Sequence, residues 1–167
     1  MNIIVLTGGS SAERNVALAS GKAISAALKR SGHNVRVVDP VFGQNQPDEE
    51  TIFQDRPVIG KEFPTAEELH AFSNRKVMEC INSSLFDNID IVFLGLHGKF
   101  GEDGRIQSLL ELRGVNYTGS GVTSSAMAMD KNISKIMFNH YNIPTAKWLM
   151  LKKGISEAVK VDESIKL

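Results

Sequence analysis

The residues best suited to chemistry stand in Leu96-His97-Gly98-Lys99-Phe100-Gly101-Glu102-Asp103-Gly104, directly after the apolar run Ile89 to Leu96. A histidine, two carboxylates, a lysine and three glycines gather there at the end of a buried strand. A surface loop needs polarity but not glycines at such close intervals. They point to backbone brought near a ligand, or to positive φ at several positions. His97 fits a ligand contact or a structural histidine bonded to nearby backbone. Glu102 and Asp103 can bind metal, cap the following helix or face solvent, and their place before a helix favours capping. Lys131 and Lys135 share one helical face, as solvated surface or as a phosphate contact.

Glu13 carries two readings. Ser10 and Glu13 have the spacing of a capping box, with Ser10 as N-cap and Glu13 at N3, and local sequence favours that role. The alternative sends the carboxylate into a cleft, where it can hold a ligand ammonium. Other chemistry is excluded. The turn Gly8-Gly9-Ser10-Ser11-Ala12-Glu13 is neither a G-x-G-x-x-G fingerprint nor a P-loop. No Cys/His set has zinc spacing, and no G-x-S-x-G elbow occurs.

These residues need a scaffold. Ile3 to Thr7 reads as strand one, Ala12 to Arg30 as a helix ended by Gly32, and Val35 to Val38 as strand two, stopped by Asp39-Pro40. That unit implies a parallel pair with a right-handed crossover. Phe42 to Pro64 is polar and irregular, a long loop or insertion holding short folded pieces. Ala66 to Leu85 reads as mostly helical, Ile89 to Leu96 as strand three, Arg105 to Arg113 as a short helix and Val115 to Thr118 as strand four. Gly119 to Gly121 turns the chain. Ser124 to Tyr141 reads as helix broken near Asp130, and Lys147 to Leu151 as an edge-like strand. The class is α/β, an open parallel sheet with flanking helices. Glycine-bearing turns follow strands one, three and four, so they line one crevice at the carboxyl edge of the sheet.

The totals bound the partners. The 167 residues carry 19 basic and 19 acidic side chains, which gives no pull towards nucleic acid or an anionic membrane. No apolar run approaches spanning length, and a first strand at Asn2 or Ile3 leaves no room for a signal peptide. The single cysteine, Cys80, cannot form an intrachain disulfide, which fits a reducing cytosol. Within the helix-like run Asn74 to Leu85 it reads as a small core residue.

The chain resembles D-alanine–D-alanine ligases of the ATP-grasp superfamily. The resemblance rests on Gly8-Gly9-Ser10-Ser11-Ala12-Glu13-Arg14, Ser20-Gly21, Leu96 to Gly104 with Gln107, Leu110-Glu111-Leu112 and Tyr117 to Gly121. Ala126, Met129-Asp130-Lys131, Lys135, Pro144 and Trp148 extend it, and only Phe42 to Leu85 lacks it. It implies a Rossmann-like pre-ATP-grasp substrate domain over residues 1–120 and the start of an ATP-grasp central domain over 121–167. It implies ATP-dependent formation of D-alanyl-D-alanine for peptidoglycan through an acyl phosphate, with ATP and magnesium as cofactors, in the cytoplasm, as a homodimer. Glu13 then matches the glutamate that engages the ammonium of the first D-alanine, which reverses the local preference for a cap. Val16 matches an apolar neighbour of that substrate, His97 the histidine near its carboxylate, and Lys131 a lysine near the phosphates. Glu102 and Asp103 shape the loop.

Ala17 stands where the family usually has serine, and Asn15 where a charged residue or histidine is commoner. Family enzymes are roughly twice as long, because such chemistry needs further lobes. Those lobes would carry most ATP contacts and the magnesium carboxylates, so this chain alone is expected to be inactive. The alternative is a non-catalytic ligand-binding or interaction module. A weaker reading is a nucleotide-binding domain using Gly8-Gly9 and Asp39.

Overall fold

A computed structural model describes residues 1–54, 74–148 and 150. The sequence reading over 55–73 lies outside them. The chain forms two compact units, Met1–Ala126 and Met127–Leu167.

The first unit is built on three parallel strands: β1 (Asn2–Leu6), β2 (Asn34–Val38) and β3 (Ile91–Leu94), in the order β2-β1-β3. Ile3 pairs with Val35 on one side and Ile91 on the other, and Leu6 with Val38 and Leu94. The central strand is buried from Ile3 to Leu6, as expected where both sheet faces are covered. Helix α1 (Arg14–Arg30) joins β1 to β2 and covers one face. Gly21 lets it approach closely: a Cβ there would overlap Thr7, whose Oγ1 donates to Ala17 O at 2.6 Å. Gly32, at φ +80°, turns the chain out of α1 as expected.

After a 3₁₀ turn at Pro40–Phe42 comes a short helix, α2 (Glu49–Gln54), one of the folded pieces expected in the polar stretch. Helices α3 (Asn74–Asn82) and α4 (Arg105–Arg113) supply the other core. There Val77, Cys80, Ile81, Ile106 and Leu110 meet Ile4, Leu6 and Val92. Cys80 is a core residue, and burial pushes its thiol up to about 12. The helix read over Ala66 to Leu85 gives way before its end: the chain leaves α3 at Asn82, and a 3₁₀ turn at Ser84–Phe86 leads to β3.

Strand four is corrected. Beside β3 there is a single parallel bridge, Val92 to Tyr117, made by Val92 N donating to Asn116 O and Thr118 N to Val92 O. Leu94 N instead donates to the Thr118 hydroxyl at 3.0 Å, so a side chain replaces the next rung.

Helix α5 (Val122–Met129) is separated from α6 (Lys131–His140) by Asp130, the break expected from sequence. Asp130 Oδ1 accepts the N–H groups of Asn132 and Ile133 and so caps α6. Of the edge-like strand read over Lys147 to Leu151, the described residues 147, 148 and 150 are not in a strand. Lys135 Nζ donates to Thr145 Oγ1 and Ala146 O just upstream, which holds that segment by side-chain bonds to α6.

Candidate functional site

The strand order fixes where a ligand can sit. β1 connects outward to β2, while β3 connects the other way, to the bridge at Tyr117. The carboxyl ends of β1 and β3 therefore flank a topological switch point, the usual crevice of an open parallel sheet. The loops leaving these two strands are the glycine-rich turn 7–13 and the loop 95–104.

The first loop is held by a buried ion pair. Arg14 Nη2 lies 2.6 Å from Asp39 Oδ2, and both side chains are almost wholly excluded from solvent. Arg14 Nη1 donates to Gly9 O, and Asp39 Oδ1 accepts from Gly9 N and Val41 N. Gly8 sits at φ +73°, and a Cβ there would overlap the Asp39 carboxylate. Asp39 is thus committed to Arg14 and the turn, which argues against the nucleotide-binding reading that used it.

The capping box between Ser10 and Glu13 does not form. Helix α1 starts at Arg14, so Glu13 is itself the N-cap residue, and its side chain makes no capping bond. The neighbouring hydroxyl does the tying: Ser11 Oγ accepts from Glu13 N at 3.1 Å and donates to His97 O at 2.7 Å. Among the described residues the exposed Glu13 carboxylate has no capping bond and faces the second loop.

That loop is stitched to itself. Glu102 Oε2 accepts Gly98 N–H at 2.7 Å, Asp103 Oδ2 accepts Phe100 N–H at 3.0 Å, and Gln107 Nε2 donates to Gly101 O at 2.8 Å. The expectation that both carboxylates cap α4 is therefore half right. Asp103 Oδ1 takes the N–H of Arg105, the first residue of α4, but Glu102 folds back on the loop and the N-cap position is the left-handed Gly104. Half-buried His97 places Nε2 3.3 Å from Ser20 Oγ on α1. Gly98, at φ +67°, brings its backbone close enough that a Cβ would lie 3.4 Å from Glu13 Oε1.

Glu13, His97 and Glu102 converge, with one ligand atom of each within 4.8 Å of the others. Sequence reasoning singled out all three but did not join Glu102 to the pair. It named Ser20 only for the resemblance and gave it no place in the site, although Glu13, Val16 and Ser20 at i, i+3 and i+7 mark one face at the start of α1. Val16 is 38% exposed and open to a ligand on that face. Lys131, exposed at the start of α6, belongs to the other compact unit. At the amino ends of the strands, Asn2, Asn34 and Arg36 line a separate groove. Its asparagines bond one another, Asn34 Nδ2 to Asn2 Oδ1 at 3.0 Å, and it gathers no nucleophile or ligand set.

Fold and site define a parallel α/β domain with its ligand-facing loops at the switch point of the sheet. The family profile described as D-ala D-ala ligase N-terminus matches residues 2–120. The D-alanine–D-alanine ligase of Synechococcus sp. strain JA-3-3Ab is 37% identical over 150 residues, covering 90% of this chain and 36% of the relative. That of Pediococcus pentosaceus is 35% identical, covering 97% and 50%. Among solved structures, D-alanine–D-alanine ligase from Bacillus anthracis superposes with TM-score 0.62 at 27% identity, covering 98% of this chain and 42% of that one. The Coxiella burnetii ligase shares the fold, with TM-score 0.67 at 23% identity, over 99% of this chain and half of that one. The chain belongs to the D-alanine–D-alanine ligase family. It spans between about a third and a half of the length of these relatives.

Proposed function

We propose that this chain supplies the first-substrate side of an ATP-dependent D-alanine–D-alanine ligase that makes the dipeptide for peptidoglycan in the cytoplasm. The observation that carries the reading is the free Glu13 carboxylate at the switch point, beside His97 and on the same helical face as Val16. In this reading Glu13 receives the ammonium of the first D-alanine, His97 lies near its carboxylate, and Val16 offers apolar surface to its methyl group. Residues 1–120 act as the substrate domain and 121–167 open the ATP-grasp domain. The protein works as a homodimer.

ATP fits this chain at one described residue. Lys135 is engaged by Thr145 and Ala146, whereas Lys131 leaves its ammonium for a phosphate oxygen. Magnesium favours all-oxygen octahedral coordination. The three-group cluster of the described residues contains an imidazole, so these residues do not fit that ion. What this chain contributes is orientation: a fixed carboxylate and imidazole hold an amino acid while a reactive anhydride forms and is attacked.

The test uses the enzyme as its gene encodes it. A charge-assisted contact to an ammonium contributes about 1.5–3 kcal/mol. Glu13→Ala is therefore expected to lower kcat/KM for D-alanine-dependent phosphate release by roughly 10- to 100-fold, with little change in Tm. Unchanged turnover would remove Glu13 from the site.

A further inference from the structure

We propose that Glu13, His97 and Glu102 form a reversible site for a transition-metal dication of the zinc class, at the mouth of the sheet crevice. Two observations point to a cation there. The first is composition and distance: two carboxylates and one imidazole present ligand atoms within 4.8 Å of one another. The second is charge. Among the described residues, no lysine or arginine forms an ion pair with either glutamate, because Arg14 is turned inward onto Asp39. Two adjacent carboxylates without a cationic partner repel each other, and a dication relieves that repulsion.

The ligands are held by their backbone. Ser11 ties the His97 carbonyl to the start of α1, and Gly98 N–H fixes Glu102 Oε2, which leaves Oε1 of that carboxylate for a metal. The missing side chain at Gly98 leaves room for the Glu13 carboxylate beside the second loop, since a Cβ there would lie 3.4 Å from Glu13 Oε1. Ligand bonds of about 2.0–2.2 Å require donor atoms roughly 3.3–3.5 Å apart in a tetrahedron. Closing from 4.8 Å asks for rotation of the exposed Glu13 side chain towards Glu102, which Gly98 N–H holds in place. One histidine and two carboxylates make a mixed nitrogen and oxygen set, which suits zinc and is poor for magnesium or calcium. A fourth position stays open to water.

Metal binding itself does not depend on the substrate reading. If that reading holds, one further consequence rests on it: the dication and the D-alanine ammonium compete for Glu13. Free zinc would then restrain the site in proportion to its concentration.

The experiment is titration of the purified chain with zinc chloride against a chromophoric zinc indicator. The expected result is one zinc per chain, weakened at least about tenfold in each of Glu13→Gln, His97→Gln and Glu102→Gln. Glu102→Gln keeps an oxygen for Gly98 N–H, and circular dichroism checks that each variant is folded. Absence of a one-to-one step, or wild-type affinity in any of the three folded variants, overturns the site. Failure here leaves the Glu13 turnover experiment standing, and the reverse is equally true, since the titration contains no D-alanine.

Discussion

The two compact units hold their polar and apolar groups in opposite ways. In the first, a full ion pair, Arg14 with Asp39, is buried beneath the site, and the apolar strands are sealed on both faces. In the second, α6 has no buried residue, and Ile133, Ile136 and Phe138 are all 39–52% exposed. Among the described residues it is tied by polar bonds: the Asp130 cap at the start of α6, and Lys135 in its middle reaching Thr145 and Ala146. One region is fixed by exclusion of water and the other by local hydrogen bonds. Damage should therefore spread through the first and stay local in the second.

The strongest way to break this contrast is Asp39→Ala. It strands the buried Arg14 charge and frees the Gly9 turn, so a loss of about 3–5 kcal/mol is expected by urea denaturation. A loss below 1 kcal/mol would mean that water reaches the pair. Cys80 reports the same closure without mutation. Its thiol, raised by burial from an ordinary 9.0 to about 12, carries roughly a thousandfold less thiolate, so alkylation at pH 8 should await unfolding. The linkage has a definite sign. Above pH 9 the unfolded thiol releases a proton that the folded one keeps, so stability falls as pH rises from 9 towards 12. The smallest effect belongs to the second unit. Asp130→Ala removes one cap, costs about 1 kcal/mol locally, and should raise amide exchange in α6 while the urea midpoint of the first unit stays fixed.

Periodicity was enough for the parts of the fold set by local pattern. Arg105 to Arg113 is helical from end to end, and the apolar runs give the strands. The break at Asp130 was readable because a short acid before a helix caps it. Pattern failed where a partner distant in sequence decides. Val115 to Thr118 has the residues of a strand, but the Thr118 hydroxyl displaces a rung. The Glu13 cap was plausible by spacing and lost because the helix starts at Arg14, three residues later than a box with Ser10 as N-cap needs. Arg14 and Asp39 are 25 positions apart, and only the crossover from β1 to β2 makes them neighbours. The site was half legible: Glu13 and His97 were marked by type and by the loops they occupy, while Ser11, Ser20 and the turn of Glu102 towards the pair depend on tertiary packing.

The strand order β2-β1-β3 also has a consequence in time. The central strand is synthesised first, its β2 neighbour follows soon after, and its β3 neighbour comes much later. The 52 residues between Val38 and Ile91 take about 3–10 s to make at 5–20 residues per second. For that interval a nascent chain holds β1 with one edge unpaired, and Ser11 has no carbonyl of His97 to meet. The crevice is thus one of the last parts of the first unit to exist. A ribosome pause within that stretch prolongs the exposure of the open edge of its central strand.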